Sequence, residues 1–410
     1  MKPYTLMQLK QTTTPEQFSA HLREMGEIFW WEPGKFFVIT SYHLAKQILT
    51  SPDFTCDRTP FFISRMPEMN LSLIADFFKV VSLMMVMSDA PEHTDRRRIC
   101  YHGFSNQCLE QLKPLIQRTV AKCLTELIEN KSFDFVSQLA QIIPSVTLAE
   151  LFAIPDNEHL DFYHWSNNMT QFFGGSTRYQ DEDGIMVNHS AQQLYNYFSH
   201  LIGERRHQPG QDFLSVLLEH QAHFGLTDNE IISQAIMMLV AGQVTTTDQL
   251  CNNLFLLLNT PGLWQEVRTR LDMLDAYIEE CNRLDPAVTF IFRVTKNDTV
   301  LGGQHIEKGK VIFISTHAIN RDPLYFKQPD KIILAEKQTQ HFSYGYGSHF
   351  CLGAKLARIE MHSIFKTLVT QFPSLCLDAS KPPQRKHHSL SFSGFEHMYL
   401  NTRQEGNQHT

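Results

Sequence analysis

Phe342-Ser343-Tyr344-Gly345-Tyr346-Gly347-Ser348-His349-Phe350-Cys351-Leu352-Gly353 is the stretch whose reading decides the fold. Two tyrosines alternate with two glycines, then a histidine and a single cysteine follow. Gly345 and Gly347 open backbone angles closed to other residues and let the chain approach a flat ligand closely. Beyond the cysteine, Ala357, Met361, Ile364, Leu368 and Phe372 recur at helical spacing. Cys351 therefore stands at or just before a helix N-terminus, where free N–H groups and the helix dipole favour a thiolate. A thiolate held this way is a nucleophile or a metal ligand. The commoner fate of a free cysteine is that of a small buried hydrophobe. The rest of the chain decides between them.

The chain has 410 residues, 42% hydrophobic and 19% charged, which is ordinary for a globular protein with a core able to enclose a sizeable ligand. A net charge of −7 gives nucleic-acid binding no electrostatic support. Met1 to Thr5 begins no apolar run of signal-peptide length. The longest apolar stretch, Phe77 to Met87, is interrupted by Lys79 and falls short of the roughly 18 residues of a membrane span. The expectation is a cytoplasmic protein without a membrane anchor. Of the eight cysteines, no two stand at C-x-x-C spacing, so zinc-ribbon and iron–sulfur readings have nothing to start from.

Taken in order, residues 1–60 read as a helix followed by strands, with Phe36 to Thr40 aromatic and β-branched behind a Pro33-Gly34 turn. Residues 54–88 are rich in Phe and Met, suited to lining an apolar pocket or to ordinary core. Pro91 fits the first turn of a helix, on which His93 and Arg97 share one face. That pair suits carboxylates or phosphates; a solvated basic helix is the plainer reading. Leu109 to about His207 reads as helical, broken at Pro144, Pro155 and Gly174-Gly175.

Thr227-Asp228-Asn229-Glu230 reads as a capping box opening a helix to Asn259, about 32 residues and roughly 48 Å long. Its middle, Ala241-Gly242-Gln243-Val244-Thr245-Thr246-Thr247, is poor helix former. Thr245 is placed to bond back to the Ala241 carbonyl. Such a weak, hydroxyl-bearing spot suits a small polar ligand, or a helix contact that needs small residues. Glu280 and Arg283, three apart on a helix ending at Asp285-Pro286, can pair. Strand-like pieces follow at Val288 to Arg293, Thr299 to Leu301 and Val311 to Ser315.

In this order and spacing the pieces resemble the cytochrome P-450 superfamily of haem-thiolate enzymes, over almost the whole chain. Tyr344 to Gly353 matches the family's F-G-x-G-x-H-x-C-x-G haem loop, with Tyr344 at the usual Phe position. Glu280-Cys281-Asn282-Arg283 matches its E-x-x-R. Pro91-Glu92-His93-Thr94 with Arg97 resembles the bacterial haem-propionate helix. Ala241-Gly242 with Thr245-Thr246 resembles the oxygen-binding groove, and Ile319 to Pro323 the A-N-R-D-P stretch. The resemblance implies a mainly α fold with small β-sheets (α+β) in one domain over 1–410. Its β-rich part would be residues 1–60 and 288–320, and its helical core 88–285 and 351–372, with the long helix crossing over the haem.

The resemblance also implies roles. Cys351 becomes the axial thiolate of a haem b iron. His93, Arg97, Arg293 and His349 become partners of the haem propionates, which need charge-assisted hydrogen bonds in an apolar pocket. Tyr344, Gly345 and Gly353 shape the haem loop. Ala241 and Gly242 leave room for dioxygen, and Thr245 helps deliver protons. Glu280 and Arg283 hold the proximal scaffold. Residues 61–87 with Met84, Met237, Val240, Thr289, Phe290, Phe392 and Ser393 would line a pocket for a largely apolar, possibly carrier-bound, small molecule. Lys355, Arg358, Arg96 and Arg98 would face an acidic ferredoxin or flavodoxin-type electron donor, or are scattered solvated charges.

Two departures stand out. Val244 replaces the acid that usually precedes the catalytic Thr, so proton delivery falls to Thr245 with ordered water, to Gln243, or to a substrate group. In the meander, Glu336 stands where an arginine is expected, with Lys337 or Arg321 to fill in. The implied activity is a monooxygenase, with natural-product biosynthesis as its setting. The alternatives are a haem-thiolate enzyme of atypical chemistry (oxidative coupling, rearrangement or peroxide-driven oxidation) and a non-catalytic haem or ligand-binding protein.

Overall fold

Thr227 closes the start of the longest helix, Asp228–Asn259, as its sequence requires. Its hydroxyl accepts from the Glu230 N–H, and the Glu230 carboxylate accepts from the Thr227 N–H. Ile231 to Val240 are buried on every side, so this helix crosses the interior rather than lying on it. Gly242 and the three threonines leave the helix unbroken, because packing outweighs a propensity cost of about 1 kcal/mol at the glycine. The computed structural model describes residues 5–64, 66, 69–127, 132–155, 158–173, 180–334 and 340–402.

Around the long helix pack Ile142–Phe152, His159–Phe173, Asp181–His207 and Leu274–Leu284. The helix that follows the cysteine loop, Ala354–Gln371, packs on Leu274–Leu284 and on Asn106–Leu127. Of the described residues, 61% are helical. Pro144 does not break its helix: it stands in the first turn of Ile142–Phe152, where a missing N–H costs little. Inside the stretch read as wholly helical, Ser132–Asp134 forms a strand paired with Tyr399–Asn401. The break read at Gly174-Gly175 lies outside the described residues.

Among the described residues the largest sheet has five strands, in the order Ile28–Trp31, Phe36–Ile39, Val311–Ser315, Phe290–Thr295, Phe54–Thr55. Phe36–Ile39 runs parallel to Val311–Ser315, and the other pairings are antiparallel. Val311–Ser315 is buried at every position, as an unbroken apolar run in a central strand should be. This sheet joins the two segments that were far apart in sequence and brings Arg293 to the interior. Among the described residues no helix is long and apolar enough to cross a membrane.

Candidate active site

The Cys351 loop takes its shape from its glycines. Gly345 and Gly347 have φ of 74° and 70°, a left-handed backbone that side chains resist. A Cβ on Gly347 would lie 2.8 Å from the Leu49 carbonyl oxygen. The Cys351 N–H donates to the Tyr344 carbonyl at 2.8 Å, and the helix proper begins at Ala354. The N–H groups of Gly353 and Ala354 point at the sulfur. Burial pushes the Cys351 thiol up, while those N–H groups and the Arg97 and Arg358 charges oppose it. Coordination to a metal would remove the proton outright. The Tyr344 hydroxyl accepts from Asn282 Nδ2 at 3.2 Å, and Arg358 lies 4.3 Å over its ring. That ties the loop to the helix carrying Glu280 and Arg283.

Cys351 opens onto a cavity of about 410 Å³. The same cavity is lined by Tyr344, Gly345, His349 and Gly353 of the loop, by His93 and Arg97, and by Arg293. All eight residues expected to hold a cofactor are thus brought together. Arg97 Nη2 donates to the Phe350 carbonyl at 2.6 Å. The His93 and His349 rings lie 3.8 Å apart. Burial and the neighbouring Arg97 bring His93 down to about 4; burial and Arg293 bring His349 down to about 3. The nearby carboxylate of Asp89 is already taken by Lys296 Nζ and the Cys56 N–H, each at 3.0 Å. His93 Nε2 is buried without a partner among the described residues. A ring of cations and donors with an orphaned nitrogen calls for an anion from outside the chain. The donor set fits haem: a sulfur for the iron, cations for two carboxylates, and apolar walls.

Across the cavity lie Ala241, Gly242 and Thr245. Thr245 Oγ1 donates to the Ala241 carbonyl at 2.6 Å. Gly242 serves both of its readings: it lines the cavity, and a Cβ there would meet Leu148 at 3.2 Å. Val244 is not among the lining residues. Gln243, one expected proton carrier, faces the other way: Nε2 donates to Ser145 Oγ at 2.8 Å and Oε1 accepts from Ser166 Oγ.

Met84, Met237, Val240, Phe290 and Phe392 line the cavity as expected. Thr289 does not. It is fully buried, its N–H donating to the Ser391 carbonyl at 2.9 Å and its hydroxyl to the Leu390 carbonyl, so it pins the loop that presents Phe392. Ser393 is likewise absent from the lining, and Ser391 takes that place. Among the lining residues that carried no signal in the sequence are two ionisable ones, Arg58 and Glu360. Burial pushes the Glu360 carboxyl up to about 8.

Glu280 and Arg283 stand outside the cavity. They pair through two bonds of 2.8 and 2.9 Å, and Arg283 also donates to the carbonyls of Asn320, Pro329 and Lys331. The Glu280 carboxylate accepts from the Ile333 N–H at 2.9 Å, and Arg321 faces Asp330 at 3.1 Å instead of Glu280. Glu336 and Lys337 lie outside the described residues. Of the expected docking cations, Arg96 is buried and paired with Glu230 at 2.9 Å, so it cannot meet a partner. Arg358 grips Glu279, Lys355 donates to Asn106, and Arg98 is exposed.

Residues 4–396 match the family model "Cytochrome P450". The chain is 30% identical over 367 residues to a biotin biosynthesis cytochrome P450 of Bacillus subtilis, covering 88% of this chain and 90% of that one. It is 28% identical to the polyketide biosynthesis cytochrome P450 PksS of the same organism, over 80% of each. Among solved structures it is similar to P450BioI in complex with an acyl carrier protein ligated to hexadec-9Z-enoic acid, with a TM-score of 0.86 and 26% identity, covering 95% and 98% of the two chains.

Proposed function

The chain belongs to the cytochrome P450 family, whose members bind haem, and on that premise we propose that it is a monooxygenase holding haem b through Cys351. It would insert one atom of dioxygen into a largely apolar small molecule, with electrons from a ferredoxin or flavodoxin-type donor. The observation that carries this is convergence: Cys351, its cationic partners and the Ala241–Thr245 groove share one cavity. When bound, the haem supplies the redox chemistry of dioxygen activation.

The chain's own contributions follow from its geometry. The Gly353 and Ala354 N–H groups temper the negative charge on Cys351 Sγ. His93, Arg97, Arg293 and His349 would hold the two carboxylates and so fix the ring plane. Met84, Met237, Val240, Phe290 and Phe392 exclude water and orient an apolar substrate. Thr245 Oγ1, its own proton lent to the Ala241 carbonyl, offers lone pairs to a water or proton in the cavity. Gln243 is committed at both ends and Val244 carries no proton, so the proton must come through ordered water or from the substrate.

Replacing Cys351 tests the core of the reading. Cys351→Ser should abolish the red-shifted carbon-monoxide band of thiolate-ligated haem; an unchanged band would refute the assignment. The missing acid favours a second reading, in which the enzyme runs a coupling, rearrangement or peroxide-driven oxidation. Full turnover with hydrogen peroxide and none with a competent reductase would select it. The setting proposed is biosynthetic, with the substrate free or carrier-bound, as the similar proteins suggest.

A further inference from the structure

Arg58 follows the short strand Phe54–Thr55 and precedes the one-and-a-half-turn helix Thr59–Ser64. Its neighbour Asp57 is exposed and spends its carboxylate on the Thr59 N–H at 2.9 Å. Arg58 turns the other way and lines the cavity. Its Nη2 meets the Met87 sulfur at 3.3 Å, a weak acceptor, and its Nε is buried without an acceptor among the described residues. Its guanidinium carbon lies 5.9 Å from the Phe62 ring and 5.6 Å from the Phe292 ring. Among the described residues no carboxylate forms an ion pair with it, and Arg293 nearby repels it. Asp89, the acid of this neighbourhood, is held by Lys296 and the Cys56 N–H.

A cation without an acid in apolar surroundings is costly, and removing its counter-ion costs more than the pair is worth. A fold keeps one where an anion arrives from outside. Burial lowers Arg58 only to about 10, so it stays charged at neutral pH. On the reading above, four residues would hold the carboxylates of the haem: His93, Arg97, Arg293 and His349. Arg293 is near enough to repel Arg58, but the side chains that Arg58 itself touches are apolar, Phe62, Met87 and Phe292, as the wall of a substrate chamber would be.

We propose that Arg58 anchors the carboxylate of the substrate, so that the cavity selects an apolar acid with a free anionic head over its neutral ester or a carrier thioester. The planar fork of arginine suits that head, which it can grip with two parallel N–H bonds. This rests on the cavity being the haem and substrate chamber, and it adds the chemical class of the substrate.

The test uses the haem-loaded full chain and two probes, tetradecanoic acid and methyl tetradecanoate, with binding read from the shift of the Soret band. The parent should bind the acid at least about tenfold more tightly than the ester. Arg58→Met should bring the acid down to the ester's affinity and leave the ester within about threefold. Arg58→Lys should keep part of the preference, a point charge standing in for a fork. Equal binding of acid and ester by the parent overturns the proposal, as does an equal loss of both in Arg58→Met. The rate of haem transfer to apomyoglobin separates the remaining source of a carboxylate. An unchanged rate in Arg58→Met supports the substrate assignment. Faster haem loss with an unaltered acid-to-ester ratio assigns Arg58 to the haem carboxylates and overturns it. If the chain takes up no haem, the broader reading fails, and calorimetric titration of the same two probes still decides the question for Arg58.

Discussion

Behind the cysteine loop the polar side chains are tied to fixed protein partners, whereas the long-helix side of the cavity is largely apolar and its few polar side chains are bonded within the helix or turned away. Asn282, Tyr344, Glu279 and Arg358 form one network behind the loop, and the Glu280–Arg283 pair joins it through Asn320 and Ser343. Across from it, Thr245 is bonded within its own helix and Gln243 is turned toward Ser145 and Ser166. A rigid wall suits a residue that would hold a metal at one distance. An apolar wall with few commitments suits a substrate that must enter and leave. Substitutions on the two sides should therefore fail in different ways: stability on the first, chemistry on the second.

The largest expected effect is at Arg283. Its side chain is 2% exposed and that of Glu280 is 8% exposed. Arg283→Ala would leave a buried carboxylate unpaired and three backbone carbonyls without donors, a loss of about 3–5 kcal/mol. Denaturant unfolding should show it, and soluble yield should fall with it. A variant as stable as the parent would mean that the cysteine side is not held by this network.

A matched pair of glycines sharpens the contrast. Gly347→Ala meets the Leu49 carbonyl at 2.8 Å with φ at 70°, and the left-handed backbone alone costs about 1–2 kcal/mol. Gly242→Ala meets only the side chain of Leu148 at 3.2 Å, and the long helix gains up to about 1 kcal/mol of propensity. Thermal unfolding should place Gly347→Ala well below the parent and Gly242→Ala within about 1 kcal/mol of it. Equal losses would erase the distinction between the two walls.

The cation ring adds a pH dependence. The His93 value falls from the ordinary 6.5 to about 4 because of burial and Arg97. The folded chain thus keeps a neutral imidazole that the unfolded chain protonates. This stability is present above about pH 6.5 and is lost as the pH falls toward about 4. Without haem, the thermal midpoint should drop across that window, and His93→Gln should flatten the drop. A parent midpoint that is level across the window would show that His93 is not held neutral.

What could be read from the sequence was local. The capping box at Thr227 and Glu230 and the Glu280–Arg283 pair act through residues three positions apart, and the two loop glycines first through their own backbone angles, so the local pattern exposes them. What could not be read depends on partners far along the chain. Arg96 looks like a surface charge until Glu230, 134 residues later, buries it. Thr289 looks like pocket lining until the Leu390 and Ser391 carbonyls claim it. Arg58 lies in a stretch marked in the sequence only by its Phe and Met content, and the sheet and the Met87 segment close around it.

The smallest effect is expected at Val244, the position where the sequence departs most visibly from its family. An acid there looks like a missing relay, and a positioned acid contributes roughly 10²-fold or more to a proton transfer. Val244 is not part of the cavity wall, and its neighbour Gln243 holds its amide toward Ser145 and Ser166 rather than toward the cavity. A carboxylate introduced at 244 would therefore start from outside the wall, beside a Gln243 already committed to Ser145 and Ser166. Val244→Glu should raise product formed per dioxygen consumed by far less than a positioned acid would, staying within about threefold, while the carbon-monoxide spectrum and unfolding stay at parent values. A rise of an order of magnitude would show that the long-helix side lacks only a proton donor, and that its apolar wall is an unfinished relay rather than a different design.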